Sequence, residues 1–242
     1  MSVDILALGA HPDDIELSCG GTLAKLKKLG RSIALIDITE GELGTRGTKE
    51  MRQKEAEEAA KILGAVTRRN LKIPDGNIEV NQDNRLKLIQ LIRELQPKVM
   101  LIPYSVDRHP DHGRAHLLCK ESWFYAGLQK IRTTLNGQTQ HAYRPDRYYE
   151  YMQWHQVTPT FIVDISDVMD VKMNAIRAHR SQFHDPESKD PETVLSRPDF
   201  LDSVENRARY YGRRIGVQYG EPFYSLFPLG VSDLFHLVQW KG

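Results

Sequence analysis

His11, Asp13 and Asp14 stand close together in the run Gly9-Ala10-His11-Pro12-Asp13-Asp14-Ile15-Glu16. Imidazole is a borderline nitrogen ligand and carboxylate a hard oxygen ligand, the mixture that suits zinc or another first-row divalent ion. One Asp of the pair can bind such an ion while the other takes a proton from the attacking water; residue types alone do not say which. A plainer reading competes, in which Pro12 opens a helix and the two acids settle at its positive end. A second stretch, Ser105-Val106-Asp107-Arg108-His109-Pro110-Asp111-His112, carries two imidazoles three apart with Asp111 between them. A lone HxxH is weak, because surface histidines are common, but two ligand-bearing turns that meet in space are a strong sign of a shared metal site.

Whether they meet depends on the elements that carry them. Residues 4–10 read as a first strand and 15–29 as a helix closed by Gly30; residues 32–39 (SIALIDIT) are a near-continuous apolar run, as in a strand buried on both faces. A glycine-rich polar loop over 41–48 leads into a helix over 49–63, with Met51, Ala56, Ala59, Ala60 and Leu63 expected toward the sheet. Residues 66–73 form a third strand stopped by Pro74-Asp75-Gly76, residues 84–95 a helix, and 98–104 (KVMLIPY) a fourth strand. Strands alternating with helices imply a parallel sheet with right-handed crossovers. In the order 3-2-1-4 of a Rossmann-like mononucleotide-binding half, strands one and four are neighbours at the switch point, and ligands bind beyond the strand carboxyl ends there. Both motifs fall at those ends.

Beyond His112 the alternation breaks down. A helix over 113–128 carries Trp123, Phe124 and Tyr125 as core or subunit contacts, and 130–144 reads as polar loop. Strands are expected over 147–154 and 160–165, and helices over 168–183 and 200–216. Arg207, Arg209, Arg213 and Arg214 of the last helix read as a solvated face. The proline-rich stretch 185–198 is a long ordered loop, of the kind that covers a site or contacts a neighbouring subunit. The expected fold is therefore a single α/β domain over residues 1–242, a mostly parallel sheet flanked by helices. Residues 1–128 form its Rossmann-like half and carry the metal motifs; residues 129–242 form the half for substrate and oligomer contacts.

At 242 residues the chain suits one large domain. Its 33 basic and 32 acidic side chains nearly cancel, which removes the electrostatic case for nucleic acid or an anionic membrane as partner. No apolar run approaches the roughly eighteen residues that span a bilayer. The start, Met1-Ser2-Val3-Asp4, has no basic stretch and reads as no signal peptide. Cys19 and Cys119 are far apart and read as buried inert thiols, in keeping with a reduced cytoplasm.

AHPDD near the start with HPDH after the fourth strand resembles the PIG-L/LmbE-like metal-dependent N-deacetylases, which remove acetyl groups from N-acetylglucosamine units. The resemblance runs over nearly the whole chain. Glu40-Gly41-Glu42-Leu43-Gly44-Thr45-Arg46-Gly47-Thr48, Ser181-Gln182-Phe183, Arg209-Tyr210-Tyr211-Gly212 and Gly216-Val217-Gln218-Tyr219-Gly220-Glu221-Pro222-Phe223 look like the bacillithiol-biosynthesis branch, whose substrate is N-acetylglucosaminyl malate. This resemblance implies a Zn2+ cofactor held by His11, Asp14 and His112, with Fe2+ acceptable to the same ligands. It also implies Asp13 as general base and a protonated His109 facing the oxyanion or the leaving amine. Asp111 would orient His109 and keep its pKa high. Arg52 and Arg46, beside the loop after strand two, would donate paired hydrogen bonds to a sugar or malate oxygen. The partners implied are a small-molecule sugar conjugate and further copies of the chain, as a hexamer.

His116 reads as a surface residue or one standing behind the ligands, and His141, His155, His179, His184 and His236 as structural. Within enzymes the runner-up is deacetylation of a different N-acetylglucosamine conjugate, or amide cleavage of a thiol-sugar conjugate; two readings from other classes also compete. A nucleotide-binding module needs glycines at the first strand–helix turn, where this chain has Pro12 and two carboxylates that would repel phosphate; Asp37 alone does not restore that reading. A non-catalytic sugar- or metal-binding protein has no use for a spare carboxylate beside the ligands.

Overall fold

The computed structural model describes residues 2–155, 157–235 and Leu237. Five strands of one sheet, β1 (Ile5–Gly9), β2 (Ile33–Asp37), β3 (Thr67–Asn70), β4 (Val99–Pro103) and β7 (Arg147–Tyr151), are mutually parallel; β1, β2 and β4 are the apolar runs, and β3 forms an edge. Between them run α1 (Asp14–Lys28), α2 (Lys49–Leu63), α3 (Gln82–Leu95) and α4 (Pro110–Ala126), followed by a small hairpin of β5 (Thr134–Leu135) and β6 (Gln138–Thr139). The chain then forms β8 (Phe161–Asp164), α5 (Met169–Arg177), α6 (Phe200–Arg213) and β9 (Gly220–Tyr224). The order across the sheet is β3-β2-β1-β4-β7-β9-β8, so the expected 3-2-1-4 half stands, with three further strands beside it.

Both faces of the sheet are covered. Ile15, Leu23, Met173, Ile176 and Phe223 belong to one apolar cluster, and Leu6, Ile36, Ile89, Met100 and Leu118 to the other. The helices have local reasons for their ends. Thr48 and Asn81 accept a backbone N–H at the starts of α2 and α3, Gly64 closes α2 in the left-handed region, and Pro110 stands at the first position of α4.

The second half departs most from the sequence expectation. Residues 216–223, read only as a motif, contain most of β9, which enters between β7 and β8 and pairs antiparallel with both. The helix expected over 168–183 ends at Arg177 and is followed by a short 3-10 turn at Arg180–Gln182. The stretch 130–144, read as loop, holds the hairpin, with Asn136 and Gly137 both at positive φ in its turn. Met51 is exposed rather than turned to the sheet, and its neighbour Arg52 is buried instead. His236 lies outside the described residues. Among the described residues no helix is long and apolar enough to cross a membrane.

Candidate metal centre

β1 and β4 pair directly, so the two motif turns emerge side by side at the carboxyl edge of the sheet. The turn after β1 is sharp. Asp13 precedes the first residue of α1 with φ 129° and ψ −26°, a conformation L-residues avoid, and its side chain does not cap the helix. The helix-cap reading of Asp13 therefore fails, and strain of this kind is characteristic of residues held for chemistry rather than folding. Asp13 and Asp14 are each only 4 % exposed.

Around these turns the structure gathers imidazoles and carboxylates. Asp14 lies between two rings, with Oδ2 3.4 Å from His11 Nδ1 and Oδ1 3.3 Å from His112 Nε2. Its Oδ2 also accepts the His11 backbone N–H at 2.8 Å, and its Oδ1 accepts an N–H from Gln153 at 2.6 Å. On its far side His112 Nδ1 is 2.8 Å from Asp107, and His11 Nε2 is 3.1 Å from Asp75 and 3.4 Å from Asp111. His109 stands at the exposed rim, stacked on His112 with ring centroids 5.1 Å apart and edge-on to His11 at 4.7 Å. His11, His109 and His112 each offer a nitrogen within 4.8 Å of the others; His11, Asp75 and Asp111 form an overlapping group.

The electrostatics are those of a pocket with surplus negative charge. Burial lowers the pKa of His11, yet contacts with Asp111, Asp14 and Asp75 raise it well above the usual imidazole value. His112 is likewise lowered by burial but raised overall to about 9 by Asp14 and Asp107. Burial pushes Asp14 up, and the facing imidazoles bring it well below the carboxylate range. Asp13 is different: burial raises it to about 6, although Arg52, His179 and His11 pull the other way. A cluster that holds protons this tightly on two buried rings offers the same charge and the same nitrogen–oxygen donors to a divalent cation, so the residues fit one.

The other predicted residues are placed differently. The Asp111 carboxylate does not orient His109: it accepts the Gly76 N–H at 2.8 Å and faces His11, while the bond between the two residues runs from the Asp111 backbone N–H to His109 Nδ1. Accordingly the His109 pKa is lowered, by burial and by the like charges of His11 and His112, rather than kept high. Arg46 is buried among carbonyls of Ser181, Phe183, Asp190 and Pro191, and so ties the loop after β2 to the late loop. Arg52 donates to the carbonyls of Gly41 and Pro12 and lies 3.4 Å from Asp13. Neither guanidinium is a free fork; both are bonded to backbone carbonyls and tie neighbouring loops together. His116 is buried, with Nδ1 3.1 Å from the Pro103 carbonyl. Arg207 is bonded into the protein rather than solvated.

Three residues near the cluster, Asp75, Asp107 and Gln153, have no role in the sequence reading, and a fourth, His179, is read there as structural. Asp75 is there only a turn former and Asp107 only a neighbour of HPDH; the nearness of each to a turn at the active edge is the available signal. Gln153 and His179 give no signal at all, because they reach the cluster through tertiary contacts.

Fold and site together define a doubly wound α/β protein with a candidate cation site at the switch point. The family model described as PIG-L, GlcNAc-PI de-N-acetylase, matches residues 6–123. The diacetylchitobiose deacetylase of Thermococcus kodakarensis is 31% identical over 231 residues, covering 90% of this chain and 80% of that protein. The probable N-acetyl-alpha-D-glucosaminyl L-malate deacetylase 2 of Bacillus subtilis is 27% identical over 195 residues, covering 75% of this chain and 84% of that protein. Among solved structures, the conserved protein TT1542 from Thermus thermophilus superposes with a TM-score of 0.84 at 39% identity, covering 95% of this chain and 97% of that one. The chain belongs to the PIG-L family of de-N-acetylases.

Proposed function

We propose that the protein hydrolyses the acetamide of an N-acetylglucosamine-type substrate, releasing acetate and the free amine. The observation that carries this reading is Asp13: a strained, buried carboxylate beside the imidazole cluster but outside it, with its pKa raised to about 6. Asp14, not Asp13, stands between the two rings, and a buried carboxylate raised toward neutrality beside them is suited to take and return a proton. The sugar- or metal-binding alternative leaves this residue without a task.

His11, Asp14 and His112 would hold Zn2+ or Fe2+. A bound divalent ion supplies a Lewis acid that polarises the acetyl carbonyl and acidifies water. Asp13 accepts the proton of the attacking water and, once protonated, returns it to the amine nitrogen as the C–N bond breaks. Arg52 keeps the Asp13 carboxylate in place through the Pro12 carbonyl and its own contact at 3.4 Å. His109, with its lowered pKa, faces the cleft as a neutral imidazole able to donate one N–H to the developing oxyanion.

For the aglycone, the longer match to a diacetylchitobiose deacetylase favours another N-acetylglucosamine conjugate over the malate conjugate to which the tail motifs pointed. At the mouth, half-exposed Trp154 lies under the Arg108 guanidinium at 4.5 Å, an amphipathic platform of pyranose size. Gln153, Trp154 and the loop tied to Arg46 all come from residues 129–242, which supports the reading of that half as the one shaping the substrate cleft. Assembly of several copies, a hexamer by resemblance, would appear as mass in sedimentation.

The test is amine release by zinc-loaded protein from diacetylchitobiose, N-acetylglucosaminyl malate and N-acetylglucosamine. Turnover lost on chelation and in Asp13→Asn supports the activity, and the preferred substrate names the aglycone. Absence of turnover on all three by metallated protein overturns the reading.

A further inference from the structure

The Asp14 carboxylate is held at both oxygens before any cation arrives. Oδ2 accepts the His11 backbone N–H at 2.8 Å, which the turn itself supplies. Oδ1 accepts from Gln153 Nε2 at 2.6 Å, a contact that crosses 139 residues of sequence. Gln153 lies just beyond the end of β7, and its own backbone carbonyl accepts a hydrogen bond from Arg207 Nη1. The other arm of Arg207 donates to the Leu17 carbonyl at 2.8 Å, in the first turn of α1 and three residues beyond Asp14. The Asp14–Gln153 contact is thus fastened at both ends, by α1 on one side and by the Arg207 bridge on the other.

We infer that Gln153, locked by Arg207, is a positioning residue that sets the direction of the Asp14 carboxylate and with it the affinity and geometry of the cation site. The inference rests on the reading of Asp14 as a ligand. Residue chemistry supports it on three counts. A lysine or arginine at position 153 would neutralise Asp14 and compete with the cation, and a glutamate would repel it; only a neutral donor orients the carboxylate while leaving its charge available. The direction of the Gln153 amide is not free, because its oxygen turned toward Asp14 would face another oxygen. Finally, Gln153 Oε1 is buried and has no partner, a cost that methionine in the same space would avoid. The contact made by Nε2 is what the residue is there for. Arg207, read from sequence as one of a solvated row, is the brace behind it.

The experiment uses the full chain, stripped of metal and titrated with Zn2+ against a chromophoric chelator, with Co2+ absorption as a second readout of ligand geometry. In Gln153→Met the zinc dissociation constant should rise by about 10- to 100-fold, and the Co2+ bands should shift while the unfolding temperature of the metal-free protein stays near wild type. Arg207→Lys, which can keep only one arm of the bridge, should move both readouts in the same direction by less. The double variant should bind no more weakly than Gln153→Met alone, since both act through one contact. Wild-type zinc affinity and an unshifted Co2+ spectrum in Gln153→Met would overturn the inference. Zinc affinity unchanged in Asp14→Asn would instead remove the ligand reading beneath it. Because Gln153→Met leaves the Arg207 bridge intact, it decides the matter by itself.

Discussion

Asp14 and Glu16 lie two residues apart at the start of α1, both buried, and they face opposite surroundings. Glu16 meets a guanidinium that belongs to the protein: Arg68 Nη1 is 2.5 Å away, and Arg68 also holds both oxygens of Asp37 at 2.8 Å. Burial opposes its ionisation, yet Arg68, with help from His179, brings the Glu16 pKa down to about 2. Asp14 has no guanidinium; it faces His11 and His112, whose charge comes and goes with a proton. The His179 ring lies 3.4 Å from the other Glu16 oxygen, but the guanidinium is a countercharge that does not come and go, so that cluster is closed and structural. The countercharge of Asp14 is exchangeable, so that cluster is open to whatever cation displaces the protons. A carboxylate in the same helix turn is pinned as a strut or left available to a cation according to which partner the fold brings to it.

Neutralising Asp13 should produce the largest effect at the open cluster. Asp13→Asn keeps the shape but removes the base, and kcat should fall by about 10²- to 10⁴-fold while zinc content by elemental analysis stays at the wild-type ratio. In the wild type, kcat/KM should climb tenfold per pH unit below about 6 and level off above it, because the carboxylate must be ionised to act. A variant that loses its zinc along with its activity would return Asp13 to the ligand set and blur the contrast.

Breaking the closed cluster should cost stability instead. Arg68→Met leaves Asp37 buried without its guanidinium and Glu16 with only the His179 ring at 3.4 Å, a loss of about 3–5 kcal/mol and roughly 6–20 °C in unfolding temperature for a chain of this size. Zinc affinity of the folded protein should be unchanged. A weakened zinc site with intact stability would show that the two clusters are one.

The pH dependence of stability separates the clusters without mutation. The folded pKa of His112 is about 9 against an ordinary value of 6.5. Below 6.5 both folded and unfolded chains carry the proton and the stabilisation is fully present; as pH rises toward 9 the unfolded chain has released it, and the advantage disappears. Metal-free protein should therefore lose unfolding temperature between pH 6.5 and 9. Zinc-loaded protein should not follow that decline, since deprotonated imidazole binds the ion better. Parallel curves with and without zinc would count against a shared site.

The smallest effect belongs to Arg46. With its guanidinium enclosed by four carbonyls of the 181–191 segment, Arg46→Gln should cost about 1–2 kcal/mol and speed limited proteolysis near residues 185–198. KM should change by less than the rate of cleavage. A large, selective rise in KM for an acidic substrate would restore the substrate contact expected from sequence.

Much of the site is legible in the sequence because its signals are local. AHPDD and HPDH declare their donors by residue type, and the apolar runs of β1 and β4 with a helix after each place both turns at one sheet edge. Roles that depend on a long side chain finding a distant partner are easily misread. Arg46, Arg52 and Arg207 look alike in sequence as solvated or substrate-facing cations, and all three end among backbone carbonyls. Asp111 sits beside His109 in sequence but turns to Gly76 and His11.

By itself, the sequence determined the parallel half, the position of the two motif turns and the kind of donors they carry. Those features rest on short-range periodicity, turn chemistry and the intrinsic ligand character of imidazole and carboxylate. Only the tertiary structure decided that β9 enters between β7 and β8, that Asp75, Asp107 and Gln153 complete the surroundings of the cluster, and that Glu16 is closed while Asp14 is open. Each of those outcomes depends on which charge or hydrogen-bond partner arrives from far along the chain, and in a buried, poorly screened interior that partner sets whether a carboxylate is pinned or available.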